Sequence, residues 1–280
     1  MDQQLLAVIV LYKKKLSDCP SYETFLYGAV NLEKFSLYIY DNSPVPQTDD
    51  LLDLSNVHYI HDADNPGLAK AYNAALDFCN EANSDLLLLL DQDTAITVSD
   101  IEYIMKFSAA DTTKMGALVP NVYSGQVEIS PVFSNQYISR ERSYPEVGVA
   151  KDSVMAINSG SVLTKKGRTA ISKFNEEFPL DFLDHWVFWK LNKEKAAVYV
   201  LPLKLQHNLS VLDYRQVSLA RYESIVTAET LFYTKYDTAK LDLHKKHLLK
   251  RILKQFLTVK NRKIWRRTWA EYRRLVRSKT

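Results

Sequence analysis

The amino-acid sequence predicts an α/β protein built on a mainly parallel, doubly wound sheet, followed by a helical, basic C-terminal region. Three observations lead there. Short apolar runs alternate with helix-spaced stretches from Leu5 to Val119, the rhythm of βαβ units. The run Asp85-Leu-Leu-Leu-Leu-Leu-Asp91-Gln-Asp93 reads as a central strand buried on both faces. Its five leucines fall far short of the ~20 apolar residues that cross a bilayer. Turn signals, Asp41-Asn-Ser-Pro and Asn65-Pro-Gly67, fall where such strands end and such helices begin.

Taken in order, Leu5–Tyr12 is a strand by its apolar, β-branched content, and Cys19–Leu32 a helix with Pro20 near its start. Phe35–Tyr40 and Val57–His61 are the next two strands. Leu68–Cys79 is alanine-rich with helical spacing, and the leucine strand follows. Ile101–Ser108 is a helix and Gly116–Val119 a strand. Prolines, serines and scattered aromatics make Asn121–Ala150 a loop region with short strands. Val154–Thr164 reads as a hairpin-type segment around Asn158-Ser159-Gly160, and Phe182–Leu191 as a helix started by Asp181 or Asp184. Val198–Gln206 alternates and carries Pro202, which predicts an edge strand. From Tyr214 onward only helices are expected. The domains expected are residues 1–213, split into halves at 95/96, and residues 214–280.

At 280 residues and 46% hydrophobic, the chain can bury a sizeable core. Cys19 and Cys79 have no close partner in sequence, which fits a reduced, cytoplasmic protein. Residues 5–11 are preceded by acid and glutamines and followed by Lys13-Lys14-Lys15, the reverse of a secretory signal, so they read as a strand. No G-x-x-x-x-G-K-[ST] loop and no G-x-G-x-x-G fingerprint is present, which argues against a P-loop or standard dinucleotide fold. The net charge of +3 hides an asymmetry. From His244 to Thr280 there are 14 Lys or Arg against Glu271 alone, whereas the other 243 residues hold 22 bases and 32 acids. An acidic body thus carries a basic tail, and such a tail implies an anionic partner.

Ligands of open α/β sheets sit outside the carboxyl ends of the strands, which is where Asp91 and Asp93 lie. Two carboxylates there suit a hard divalent cation, and the cation suits a diphosphate. The bland alternative is an acidic loop capping the next helix, with Thr94, Thr97 and Ser99 all competent to cap.

Several motifs recur in a recognisable order. Asp41 ends a strand, Asn65-Pro-Gly67-Leu-Ala-Lys-Ala-Tyr-Asn73 opens a helix, and Asp91-Gln-Asp93 ends a later strand. Phe182-Leu-Asp184-His185-Trp186 and then His207 follow. In this order and spacing the chain, over roughly residues 4–235, resembles the family 2 glycosyltransferases with the GT-A fold, and among them the bacterial rhamnosyltransferases. The resemblance implies an inverting, metal-dependent transfer of a sugar, L-rhamnose from dTDP-rhamnose, to a glycan acceptor in surface polysaccharide synthesis. A UDP-sugar donor (galactofuranose, glucose or N-acetylglucosamine) and a non-catalytic, membrane-associated scaffold are the rival readings.

The resemblance also assigns roles. Asp93 would be the main ligand to Mg²⁺ or Mn²⁺, with Asp91 a second ligand or a ribose contact and His207 a ligand to the metal or diphosphate. A strand-end histidine bonded to backbone is the alternative for His207. Asp184 matches the base that takes the acceptor hydroxyl's proton, with Asp181 its understudy, although either could cap a helix instead. Many relatives place a small polar residue and glutamate after that aspartate; here His185-Trp186 stands there, which suggests an aromatic wall beside the acceptor. Tyr12 would lie near the base and Asp41 would read its imide N–H, an Asx-turn being the rival for Asp41. Asn65 and Gly67 would face phosphate through the helix start. Asn158, Ser159 and Gly160 resemble the segment beside the donor and acceptor sugars, and Asn73 an internal fixing hydrogen bond.

The tail is amphipathic. Leu248, Leu249, Ile252, Leu253, Phe256 and Leu257 share helical spacing, as do Trp265, Trp269, Tyr272 and Val276, with bases between. This suits an anionic membrane surface beneath a lipid-linked acceptor, hence a peripheral place on the inner face of the cell membrane. The alternatives are packing on the body of the protein or on a second copy as a homodimer. Nucleic acid is not expected, because no recognition motif accompanies the charges.

Overall fold

The computed structural model describes residues 2–138, 142–207 and 218–277. The chain divides into two compact units, Met1–Ser134 with Glu141–Asn208, and Asn135–Arg140 with Leu209–Thr280. The expected boundary at 213/214 lies outside the described residues.

The first unit opens with β1 (Leu5–Leu11), α1 (Tyr22–Asn31), β2 (Phe35–Asp41), β3 (Val57–His61), α2 (Leu68–Glu81) and β4 (Leu86–Asp91). Next come β5 (Thr94–Ala95), α3 (Val98–Met105), the single turn α4 (Ala109–Thr112), β6 (Met115–Ser124), β7 (Val127–Ser130) and β8 (Val132–Phe133). It closes with β9 (Gly148–Val149), β10 (Val154–Met155), β11 (Val162–Thr164), α5 (Lys165–Ile171), α6 (Leu183–Lys193) and β12 (Ala197–His207). The main sheet runs β3-β2-β1-β4-β11-β6-β12-β5. The first four strands in that order are mutually parallel, and β12 is parallel to β6. The expectation of a mainly parallel α/β sheet holds. Leu86–Leu90 are all essentially inaccessible to solvent, and β4 is flanked by β1 and β11. Each such leucine contributes about 1.5–3 kcal/mol of burial.

Two expectations are corrected. Val154–Thr164 is not a hairpin: β10 pairs with β8 in a small separate sheet, while β11 runs antiparallel between β4 and β6. The turn at Asn158–Gly160 carries the chain from one sheet to the other. Gly160 has φ +84°, and a Cβ there would lie 2.6 Å from Leu205 Cδ1 and 2.8 Å from Pro120 Cγ, so only glycine fits. Nor is β12 an edge strand. It pairs with β6 along its length and with β9 and β5 on the other side. Pro202 is tolerated because the register with β6 breaks between Val200 and Lys204, where no ladder bond is required of it.

The second unit contains only helices among its described residues: α7 (Leu219–Leu231), continued by a π-helical turn at Phe232–Tyr236 and a short 3₁₀ turn, then α8 (Leu241–Thr258) and α9 (Arg262–Arg277). It has its own apolar core of Tyr222, Val226, Leu248, Val259, Ile264 and Leu275. Beside that core, Arg251 makes a two-pronged ion pair with buried Glu229, at 2.5 and 2.7 Å. Tyr137 donates to Glu229 Oε1 at 3.3 Å and stacks on Tyr233 and His247.

Candidate active site

The site is built at the carboxyl end of β4, where the sheet delivers several polar groups to one place. Asp91 is the last residue of β4, and its backbone N–H donates to Ser159 Oγ at 3.1 Å. Ser159 Oγ in turn makes a short hydroxyl pair with Thr94 Oγ1. Thr94 Oγ1 lies 3.3 Å from Nδ1 of His207, the residue across the ladder from it at the end of β12. Tyr72, wholly buried on α2, donates to Asp91 Oδ1 at 3.4 Å. Loss of solvent pushes the Asp91 carboxyl above its ordinary range; the nearby His207 opposes this and the nearby Asp184 adds to it. Both Asp184 and His207 are thus close enough for their charges to act on Asp91. Burial, with Asp91 close by, holds the Tyr72 hydroxyl well above its usual range and keeps it a donor.

Asp93 stands apart from that group. It lies in the turn between β4 and β5, partly exposed, and Lys14 Nζ sits 2.7 Å from its Oδ1 and 3.0 Å from the Gln92 carbonyl. Neither acid caps the next helix. That task falls to Thr97, which forms a reciprocal capping box with Asp100 ahead of α3.

Asp184 lies in the first turn of α6, and its Oδ1 accepts from the N–H of His185 at 2.8 Å. The helix starts at Leu183, and the residue before it is Phe182, held in the left-handed region at φ +64°. Neither Asp181 nor Asp184 is the N-cap, which corrects the expected start of this helix. A bulky residue in that conformation is strained by about 1–3 kcal/mol, and such strain is concentrated at functional sites. His185 stacks on the Phe182 ring at 4.3 Å between centroids, and Trp186 is buried. Asp181 is half-buried just before the strained residue.

The helix-opening motif acts on this loop. The N–H groups of Leu68 and Ala69 both donate to the Pro179 carbonyl, at 2.5 and 3.3 Å. Gly67 has φ +98°, and a Cβ there would lie 2.5 Å from the same oxygen. Asn73 accepts from Phe174 N–H at 2.7 Å and donates to the Phe174 carbonyl at 3.0 Å, an internal fixing bond. Asn65 adopts φ +48° at the turn. The start of α2 thus holds the segment that leads to Asp184.

On the other side, Asp41 has no exposed surface; Ser43 N–H donates to its Oδ1 at 2.9 Å and Tyr59 OH to its Oδ2 at 2.8 Å. The Asx-turn is present. Beside it, Asn42 Oδ1 is buried with no hydrogen-bond partner. Tyr12 is 42% exposed at the end of β1, and its N–H donates to Gln92 Oε1 at 2.8 Å. Asn158 Oδ1 is a second buried oxygen with no partner, next to Ser159. Lys14, Tyr72, Thr94, Asn42 and the strain at Phe182 escaped the functional reading of the sequence. Lys14 hides in a lysine run and Tyr72 in an amphipathic helix.

A family model, Glycosyl transferase family 2, matches residues 25–163. The dTDP-rhamnosyl transferase RfbF of Shigella flexneri is 24% identical over 228 residues, covering 74% of this chain and 70% of that one. The chain is a family 2 glycosyltransferase. Its fold agrees with a solved structure, GalNAc-T7 with UDP, GalNAc and Mn²⁺, at a TM-score of 0.58 and 11% identity over 84% of this chain. TarS of S. aureus superimposes at 0.48 with 14% identity, over 98% of this chain. The transferase spans about half the length of each of these two solved chains. Its sheet with flanking helices is the GT-A arrangement that the motif order suggested.

Whether the transferase could hold a divalent ion turns on its donor set. Carboxylate oxygens and an imidazole suit Mn²⁺ in kind, and Mg²⁺ through the carboxylates. Among the described residues, however, no three acid, His or Cys side chains already converge on one point. Asp91 and His207 are neighbours, while Asp93 is turned to Lys14. Asp93 would have to leave that lysine before it could join them.

Proposed function

We propose that the transferase moves L-rhamnose from dTDP-rhamnose to a glycan acceptor, with inversion at the anomeric carbon. The observation that supports the chemistry is the nearness of Asp184 and His207 to the desolvated Asp91 at the end of β4. The donor is supported by the name of the Shigella flexneri relative. A UDP-sugar is the second reading, because GalNAc-T7 is a UDP-bound neighbour of the same fold and an imide-reading Asp41 would not separate uracil from thymine.

In this reading the nucleotide lies over residues 1–95, with Tyr12 along the base and Asp41, or the unpartnered Asn42 oxygen beside it, facing the imide N–H. The acceptor lies over the half that begins at residue 96, against Trp186 and His185. Asp184 takes the proton of the acceptor hydroxyl as that oxygen bonds to the anomeric carbon and the sugar–diphosphate bond breaks. Asn158 Oδ1 is free to accept from a sugar hydroxyl. Asp91, His207 and a released Asp93 would hold the ion, which would neutralise the leaving diphosphate as a Lewis acid. The ordered hydroxyls of Ser159 and Thr94 hold the Asp91 backbone and the His207 ring, so that only Asp93 would need to move. The acceptor is proposed to be a lipid-linked glycan at the inner face of the membrane.

Asp184→Asn should lower transfer by at least about 10²-fold while nucleotide-sugar binding, read by calorimetry, persists. Normal turnover by that variant would refute the assignment. Thermal-shift screening of dTDP- and UDP-sugars with Mn²⁺ separates the two donor readings.

A further inference from the structure

Helices α8 and α9 carry two sets of apolar side chains, and their own unit buries only one. Leu248 and Ile252 of α8 and Ile264 and Leu275 of α9 are buried. Leu249, Leu253, Phe256 and Leu257 stand one to two turns apart on a second face of α8, with Leu253 67% and Leu257 80% exposed. On α9, Trp269 and Val276 are likewise exposed, and Trp269 stacks on Tyr272. The two outward stripes meet: Phe256 of α8 packs edge-on against Trp265 of α9, with centroids 5.5 Å apart. The result is one apolar strip across two helices.

The rim of that strip is cationic. Lys246 and Lys250 flank it on α8, and Arg262, Arg266 and Arg273 on α9. Arg262 lies over the Phe256 ring and Arg266 over Trp265. Among the described residues one exposed acid, Asp242, borders this rim, at the amino end of α8. Glu271 is buried and paired with Arg267 and Arg274, and Asp242, at the start of α8, pairs with Lys245.

We propose that this two-helix face docks on a bilayer containing anionic lipid, lying in the interface rather than crossing it. Leucines and tryptophan with a basic rim are the make-up of an interfacial helix face, in which apolar burial and attraction to anionic headgroups add. No helix among the described residues is long and apolar enough to span. A second copy laid on the same strip would set two basic rims against each other. A nucleic acid would leave Leu253 and Leu257 in water. The inference gives a surface to the lipid-linked acceptor reading, but it is tested without donor or acceptor, so the two can fail separately.

The test is sedimentation of the full chain with vesicles of phosphatidylcholine alone or with ~30% phosphatidylglycerol, at ~0.1 M salt. Binding is expected to the anionic vesicles and to weaken as salt is raised. Leu253→Ser with Leu257→Ser should weaken it at least about tenfold. Lys250→Gln and Arg266→Gln should each weaken it about fivefold, the equivalent of ~1 kcal/mol per charge. Circular dichroism checks that the helices persist; these side chains are largely exposed and lie outside the apolar core. Equal binding to both vesicle types, or variants that bind as well as the parent, would overturn the proposal. So would a dimer in light scattering that the leucine variant dissolves while vesicles go unbound.

Discussion

Replacing Lys14 with methionine should tighten metal binding by the nucleotide-free transferase. Lys14 Nζ lies 2.7 Å from Asp93 Oδ1, so a cation that takes Asp93 as a ligand must first displace the lysine. The size of that competition follows from exposure. The two side chains are 24% and 42% exposed, and water screens a pair of this kind to roughly 0.5–1 kcal/mol. Deleting the ammonium should therefore improve Mn²⁺ affinity by about two- to fivefold. Methionine keeps much of the apolar stem and should leave the fold unchanged. The assay is Mn²⁺ titration, followed by the electron paramagnetic resonance of the free ion, on the parent, Lys14→Met, Lys14→Arg and Asp93→Asn. Arginine should preserve the competition, and asparagine at 93 should weaken binding in either background. A Lys14→Met protein that binds Mn²⁺ no better than the parent would refute the reasoning.

Three further outcomes follow from the packing. Gly67→Ala forces a Cβ to within 2.5 Å of the Pro179 carbonyl at a positive φ, and should cost about 1–3 kcal/mol in thermal unfolding. Because that carbonyl belongs to the segment leading to Asp184, kcat should fall more than KM rises. In the helical unit, Glu229→Ala removes the buried partner of the partly exposed Arg251 guanidinium and should destabilise by about 1–3 kcal/mol in a denaturant melt. Burial lowers the His244 pKa from 6.5 to about 4, against the pull of the Glu229 carboxylate. The unfolded chain then binds a proton below pH 6.5 that the folded one refuses until about pH 4. Stability is full above pH 6.5 and falls between 6.5 and 4, by up to roughly 3 kcal/mol. His244→Gln should flatten the melting temperature over that window.

Much of the sheet is legible in the sequence because parallel strands buried on both faces appear as unbroken apolar runs. Phe35–Asp41, Val57–His61 and Leu86–Asp91 fall where their patterns put them. The strand β11 does not, because three residues are too few to show a period, and its partners are set by the sheet around it. Pro202 points to an edge only if the ladder is regular, and here it is broken at that residue's own position. At the site, the strand-end acids are legible from placement alone. Phe182 is not, since nothing about phenylalanine announces a positive φ. In the tail, periodicity finds the apolar faces but cannot say which of them a neighbouring helix will cover. The structure divides them between core and exposed strip.

The division between Asp91 and Asp93 shows how a motif's letters and its geometry can diverge. Residues two apart in a continuing strand point to the same side, so D-x-D read as strand would bring both carboxylates to one point. The strand stops at Asp91, and the chain turns before β5 begins at Thr94. Asp91 stays with the core-facing groups, under Tyr72 and near Asp184 and His207, where loss of solvent raises its pKa. Asp93 swings into a wetter place and meets a lysine from the far end of β1. An acid in water can exchange one cation for another at little desolvation cost, whereas a desolvated acid cannot change partners without a large one. In the proposed mechanism the exposed acid would capture and release the ion with each donor, and the desolvated one would stay fixed. If Asp184 is the base, as proposed, the fixed Asp91 carboxylate beside it would have a second effect. The Asp184 charge helps raise the Asp91 carboxyl, so the pair would gain when the acceptor's proton arrives between them.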